Sequence, residues 1–213
     1  MNKSIYILGV GHNTPVVMEL AESAGYQVEG LFHYEKGREG ETIHGIRIVG
    51  SNDDLFSRGS LEGMNFSLSM GDNQIRTSLA DKIRQLGGCV PTLIHPSSFI
   101  SKYAQIDEGV LVYAHSSIQS EVKILSDSVI GFNSVIAHNT IIERGCYLAS
   151  LAFIGAYTHI GEKAFIGSGA VCVSGKVRDI GAEAVIGAGS VITKSIKSRE
   201  IVVGNPGRTI KER

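Results

Sequence analysis

The chain has 213 residues, 43% of them hydrophobic, and a formal net charge of −1. This suits one large or two small soluble globular domains and leaves no basic stripe of the kind a nucleic-acid partner requires. Cys89, Cys146 and Cys172 are odd in number and lack metal-ligand spacing, so buried reduced thiols are expected and no metal site is. No run approaches the ~20 apolar residues of a membrane span. The short apolar run at 5–10 is followed by no small-residue cleavage site, and a cytoplasmic protein is expected.

Residues 4–10 (SIYILGV) read as a strand, and residues 16–24 as a helix with Val16, Val17, Leu20, Ala21 and Ala24 on one face. A second strand is predicted at 27–32. Residues 35–42, polar and Gly-rich, are expected to form a mobile loop. Residues 66–70 predict a further strand, after which Asp72 or Asn73 can cap a helix that places Ile75, Leu79, Ile83 and Leu86 on one face. Strands alternating with helices give a small parallel α/β domain over 1–90, with a second domain over 91–213; Pro91 and Pro96 flank the boundary.

The first strand ends in Gly9-Val10-Gly11-His12, and a second strand-to-helix turn, Gly71-Asp72-Asn73, falls at the same edge of the sheet. Glycines at such turns let backbone N–H groups approach a phosphate at a helix N-terminus. Thr14-Pro15 replaces the third glycine of a dinucleotide fingerprint, so a mononucleotide diphosphate is the better expectation.

From Ile94 every sixth residue is apolar: Ile94, Ile100, Ile106, Val112, Ile118, Ile124, Ile130, Ile136, Ile142, Leu148, Ile154, Ile160, Ile166 and Cys172. The beat resumes at Ile180, Ile186 and Ile192, which places two extra residues within 173–179. A period of six fits neither a helix nor a simple strand. It fits a solenoid with three short flat faces per turn and the aliphatics pointing inward. Four residues beyond each aliphatic the side chain is mostly small, as at Ser116, Ser128, Ser134, Thr140 and Ala164. A glycine directly follows six of the aliphatics, among them Gly131, Gly161 and Gly181, where close backbone approach favours a missing side chain.

Seven histidines are present, and His138, two places after Ile136, lies off the inward beat, as His115 and His159 do. An outward imidazole with a near-neutral pKa can take a proton from an attacking amine or hydroxyl. The C-terminal segment is basic, with Lys194, Lys197, Arg199, Arg208, Lys211 and Arg213 against two acids; one or two of these could meet a coenzyme A phosphate.

Five segments follow in order along nearly the whole chain: ILGVGH at 7–12, SMGDNQIR at 69–76, LIHPSSFIS at 93–101, SVIAHNTIIERG at 134–145 and VVGNPGR at 202–208. With the six-residue beat, they make the sequence resemble bacterial sugar O-acyltransferases of the sialic acid O-acetyltransferase (NeuD) type, which include the PglD-like nucleotide-amino-sugar N-acetyltransferases. The closing motif carries Gly207 where that family has Ala. The resemblance implies an α/β small parallel-sheet domain followed by a left-handed parallel β-helix. It also implies a nucleotide-linked sugar on Gly9, Gly11, His12 and Gly71, acetyl-CoA on Tyr147, Ser168 and Ala188, and His138 as catalytic base in a direct transfer. Relatives commonly carry an acid after that His and a second His nine residues on; here these are Asn139 and Tyr147. A base paired with neutral Asn139 suits an amine acceptor, which is itself nucleophilic. The loop at 31–35 lacks the acidic pair with which relatives often read the base.

The expected activity is acetyl-CoA-dependent N-acetylation of a nucleotide-linked amino-deoxy sugar for surface glycan synthesis. Sialic-acid-type O-acetylation and a non-catalytic β-helix scaffold are the alternatives. Nine residues is one and a half faces of the coil, so His138 and Tyr147 lie around the prism from each other. They can share a site only between neighbouring subunits, and a homotrimer with three inter-subunit sites follows.

Overall fold

The chain, analysed as a computed structural model describing residues 3–212, forms two compact units, one ending at Leu93 and the other starting at Ile94.

The first unit runs β1 (Lys3–Leu8), α1 (Thr14–Ser23), β2 (Tyr26–His33), β3 (Thr42–Ile43), β4 (Ile46–Ser51), α2 (Asn52–Phe56), β5 (Phe66–Leu68) and α3 (Asn73–Gln85). Its sheet has the order β3-β4-β2-β1-β5. All pairings are parallel except the β3–β4 hairpin. Ile5, Ile7, Leu8, Leu31, Phe32, Ile48 and Phe66 are fully buried, as the strands of a sheet covered on both faces require. β1 sits between β2 and β5, so the chain leaves it one way and returns on its other side. The turns after β1 and β5 therefore open at one sheet edge, at the switch point where open α/β sheets bind ligands.

Two local expectations are corrected, and one stretch without an expectation is filled in. α1 begins at Thr14 rather than Val16: Pro15 suits a first helical turn, where a missing N–H is harmless. On α3 the buried residues are Arg76, Thr77, Ala80 and Ile83, not the full stripe of Ile75, Leu79, Ile83 and Leu86; Ile75 is 53% exposed. Asp72 is the N-cap, its carboxylate accepting from the Ile75 N–H at 2.9 Å. Finally, the loop at 35–42 is followed by β3, β4 and α2, none of which the apolar pattern announced. There Ser51 and Asp54 form a capping box. The Ser51 hydroxyl and then its backbone N–H donate to the Asp54 carboxylate and hold its pKa below the usual carboxylate value.

The second unit is the left-handed parallel β-helix. Its two-residue strands stack into sheets of six, five and eight strands, the last ending in an antiparallel hairpin, Glu200–Val203 with Arg208–Glu212. Inward residues pair across successive turns, Ile118 with Ile136 and Ile136 with Ile154, and Ile118 through Ile186 on the beat are at most 1% exposed. The two extra residues make a turn around Gly175, and across it Cys172 pairs with Ile192 and Ile160 with Ile180. The small residues are buried rungs: Ser116 Oγ donates to the Gly131 carbonyl (2.8 Å) and Ser128 Oγ to that of Glu143 (3.0 Å). Coil spacing explains the glycines, since a Cβ on Gly161 would lie 2.5 Å from the Ala182 nitrogen and one on Gly131 2.5 Å from that of Ser150. Three residues after most inward aliphatics the backbone turns left-handed, at His115, Glu121, Asp127, Asn133, Asn139, Leu151 and Tyr157 among others. Basic Lys211 and Arg208 lie exposed on the terminal hairpin; Arg213 lies outside the described residues.

Candidate active site

Functional residues gather in two places, one in each unit. In the first, a cleft of about 410 Å³ opens at the switch point, lined by the turns after β1 and β5 and by the start of α3. Gly9, Gly11, His12 and Gly71 all line it. Gly9 has φ +90°, and a Cβ there would press on Ser69 Oγ at 2.9 Å; at Gly11 and Gly71 a Cβ would meet nothing within 4 Å. The first glycine makes the turn and the other two keep the cleft open. Thr14 Oγ1 ties the turn down, accepting from the Gly11 N–H (2.8 Å) and donating to the Gly9 carbonyl (3.1 Å), while Ser69 Oγ donates to that carbonyl at 2.7 Å.

α1 has no side-chain cap and no acidic residue in its first turn. The N–H groups of His12 and Asn13 have no partner among the described residues. An uncapped helix start bordering a cleft can receive an anion. Arg76, 2% exposed, braces the second turn by donating to Asn73 Oδ1 (2.9 Å) and the Met70 carbonyl (3.5 Å). Sequence reasoning missed Tyr34, Asn52, Ile75 and Leu79, which also line the cleft. The apolar stripe of α3 carried part of that signal, since Ile75 and Leu79 supply a cleft wall, Leu79 while also packing against the core. Tyr34 is 66% exposed and stacks on the buried His33 ring at 4.4 Å. Asn52 Oδ1 is buried without a hydrogen-bond partner.

In the coil, His138 is exposed two residues beyond Ile136, at a corner following the six-stranded sheet. Its Nδ1 lies 2.8 Å from Asn139 Oδ1. A carbonyl oxygen only accepts, so Nδ1 donates, and in the neutral imidazole Nε2 then presents a lone pair. Asn139 holds φ +57°, a conformation that Asn tolerates better than most residues. The residue at this place thus satisfies the backbone and orients the imidazole together. The His138 N–H donates to Gln119 Oε1 at 3.1 Å, and the Tyr157 ring packs edge-to-face against the imidazole at 5.2 Å and 88°. His159, equally off the beat, is engaged by Glu143 at 3.0 Å and Asp179 at 3.6 Å.

Tyr147 lies on the eight-stranded sheet, stacked on Phe165 at 5.4 Å, away from the corner between the six- and five-stranded sheets that carries His138. Ser168 and Ala188 are exposed and each lies two residues beyond a paired inward residue, Ile166 and Ile186. They stack on successive turns, leaving a column of small side chains at one corner.

Comparison with known proteins covers both units. The family profile of the PglD N-terminal domain matches residues 4–83. Over its whole length the chain is similar to PerB of Caulobacter crescentus, solved with CoA and GDP-perosamine: 26% identity, TM-score 0.89, 99% of each chain covered. It is likewise similar to the acetyltransferase domain of PglB from Neisseria gonorrhoeae, solved with acetyl coenzyme A: 26% identity, TM-score 0.88, covering 99% of this chain and 100% of that one. An uncharacterised protein of Acanthamoeba polyphaga mimivirus is 28% identical over 127 residues, 60% of this chain; the chain spans 23% of that relative's length.

Proposed function

We propose that the chain is a PglD-like sugar N-acetyltransferase that transfers an acetyl group from acetyl-CoA to the amine of a nucleotide-linked amino-deoxy sugar, for glycan synthesis. The observation that carries this reading is the Nδ1–H···Oδ1 bond between His138 and Asn139, which leaves Nε2 free to act as base. The acceptor amine attacks the thioester carbonyl, Nε2 takes its proton, and the CoA thiolate leaves; no acyl-enzyme forms. A neutral amide stabilises the resulting imidazolium less than a carboxylate would. Such a pairing suits an amine, already nucleophilic when neutral, better than a sugar hydroxyl.

Substrate binding divides between the units. The cleft takes the nucleoside diphosphate, with phosphates at the His12–Asn13 N–H groups and beside Gly11 and Gly71. Its apolar wall of Ile75 and Leu79 and the exposed Tyr34 ring suit a nucleobase. The column of Ser168 and Ala188 offers the pantetheine arm a path without bulky side chains, and Tyr147 lies on the face that this reading gives to acetyl-CoA. His138 stands at a corner away from the Tyr147 face, so a complete site draws on two subunits, and the working form is a homotrimer. PerB, the structural relative that binds GDP-perosamine, supports the substrate class.

The test is release of CoA thiol from acetyl-CoA with a panel of UDP-, dTDP- and GDP-linked amino sugars. One donor is expected to turn over, and His138→Ala to lower kcat by about 10²–10⁴-fold, the usual span for a general base. Turnover of hydroxyl acceptors in place of amines would overturn the amine reading. An unaffected His138→Ala variant would remove the base.

A further inference from the structure

Tyr157 occupies a corner of the coil with φ +59°, a left-handed conformation that is costly for a bulky residue and favourable for Gly, Asn or Asp. Core packing does not explain the choice, because Tyr157 is 55% exposed. Hydrogen bonding of the phenol does not explain it either, since that hydroxyl has no partner among the described residues. What the side chain does make is the edge-to-face contact with the His138 ring, at 5.2 Å and 88°. The backbone fixes this pairing: Tyr157 lies one coil turn above Asn139, and its N–H donates to the His138 carbonyl at 3.2 Å.

We infer that Tyr157 is a positioning residue, acting with Asn139 to hold the His138 imidazole in the orientation that presents Nε2 to the acceptor. This rests on the reading of His138 as the base. Two restraints act on one ring. The Asn139 amide fixes which nitrogen carries the proton and restrains rotation in the ring plane. The Tyr157 ring, nearly perpendicular to the imidazole, blocks the swing about χ1 and χ2 that an exposed histidine would otherwise make. A single neutral hydrogen bond to an exposed side chain contributes little net ordering, and the aromatic contact supplies the rest. Misplacement of a reacting group by about 1 Å can cost on the order of 10²-fold in rate, so a loosened base shows in turnover before it shows in binding.

The test uses Tyr157→Asn and Tyr157→Phe in the full chain. Asparagine favours the left-handed corner, so Tyr157→Asn removes the ring without straining the backbone and is expected to keep or raise the Tm. It is expected to lower kcat about tenfold, with KM for both substrates within about twofold, as loss of orientation rather than of binding predicts. Tyr157→Phe keeps the ring and is expected to recover kcat to within about threefold. A readout independent of turnover is the imidazole nitrogen NMR spectrum of His138. It should show one Nδ1–H tautomer in the wild type and in Tyr157→Phe, and a mixture in Tyr157→Asn. Three results would overturn the inference: unchanged kcat and spectrum in Tyr157→Asn; a raised sugar KM at unchanged kcat, which would make Tyr157 a substrate wall; or an equal loss in Tyr157→Phe, which would give the hydroxyl a chemical role. If His138→Ala keeps full activity, it is the base assignment that fails, and the spectrum alone then decides whether Tyr157 orders the ring.

Discussion

Gly11 and Gly71 line the cleft at points where an added side chain would touch no protein atom within 4 Å, and neither has the positive φ that would strain a substitution. Their missing side chains therefore serve whatever enters the cleft, whereas the missing side chain of Gly9 serves the turn. Gly11→Val is expected to leave the Tm within about 2 °C, as a surface substitution should, and to raise the Kd for the nucleotide sugar at least tenfold by filling the position proposed for a phosphate. Calorimetric titration beside thermal melting separates the two effects. The cysteines divide by the same kind of local reading. Burial raises the Cys172 thiol to about 12 from 9.0, Cys146 is buried and donates to the Gly161 carbonyl at 3.1 Å, and Cys89 is exposed. At pH 8 a thiol reagent should titrate one cysteine in the native protein and three in denaturant. The stability linked to the Cys172 shift is intact below pH 9, where the unfolded thiol is protonated, and is lost as pH rises toward 12. Alkaline unfolding that sets in above pH 9 and is blunted in Cys172→Ala would report it.

The coil turns are held at a spacing that only glycine permits at certain points. A Cβ on Gly161 would sit 2.5 Å from the Ala182 nitrogen and 2.9 Å from its Cα, backbone atoms that cannot rotate aside. Gly161→Ala must therefore push two turns of the solenoid apart, and a loss of about 2–4 kcal/mol is expected, the scale of severe overpacking. Urea titration measures it, and an unchanged midpoint would mean that the turns are not in fixed register. This glycine was legible in the sequence because every turn repeats one constraint: the beat located the inward aliphatics, the small rungs, the glycines and the two-residue insertion. The α/β unit was less legible. β4 (Ile46–Ser51) packs only part of its length into the core, and α2 has a single fully buried residue, Leu55, so neither shows a periodicity. On α3 the apolar stripe misled because Ile75 faces the cleft while Arg76 is buried on hydrogen bonds, and burial of a charge leaves no apolar signature. Tyr157 was invisible for another reason: it meets His138 across a coil turn, a contact that requires knowing which corner each residue occupies.

The three faces of the coil differ in what they present outward. The six-stranded sheet shows Phe99, Ser117, Val135, Phe153, Val171 and Val191; the five-stranded sheet shows Gln105, Lys123, Ile141, His159 and Asp179. Phe99 is 62% and Phe153 37% exposed in the single chain. An apolar stripe of this kind, interrupted only by Ser117, marks a surface that another molecule covers, and a closed symmetric oligomer covers it with copies of the same chain. The five-stranded face, with its Glu143–His159–Asp179 cluster, suits water. The placement of His138 at a corner away from the Tyr147 face gives the same answer from chemistry, since a site using both needs two chains. Sedimentation of the wild type is expected to give a trimer. Phe153→Asp, on the outward side of its strand, should leave the coil folded by circular dichroism and dissociate the trimer. It should lose turnover about 10²-fold, because the face proposed for acetyl-CoA in one chain would no longer meet the proposed base of the next. Lys123→Glu, on the polar face, should change neither assembly nor rate. A wild-type monomer with full activity would overturn both the assembly and the shared site, while a trimer that survives Phe153→Asp would move the interface off the six-stranded face.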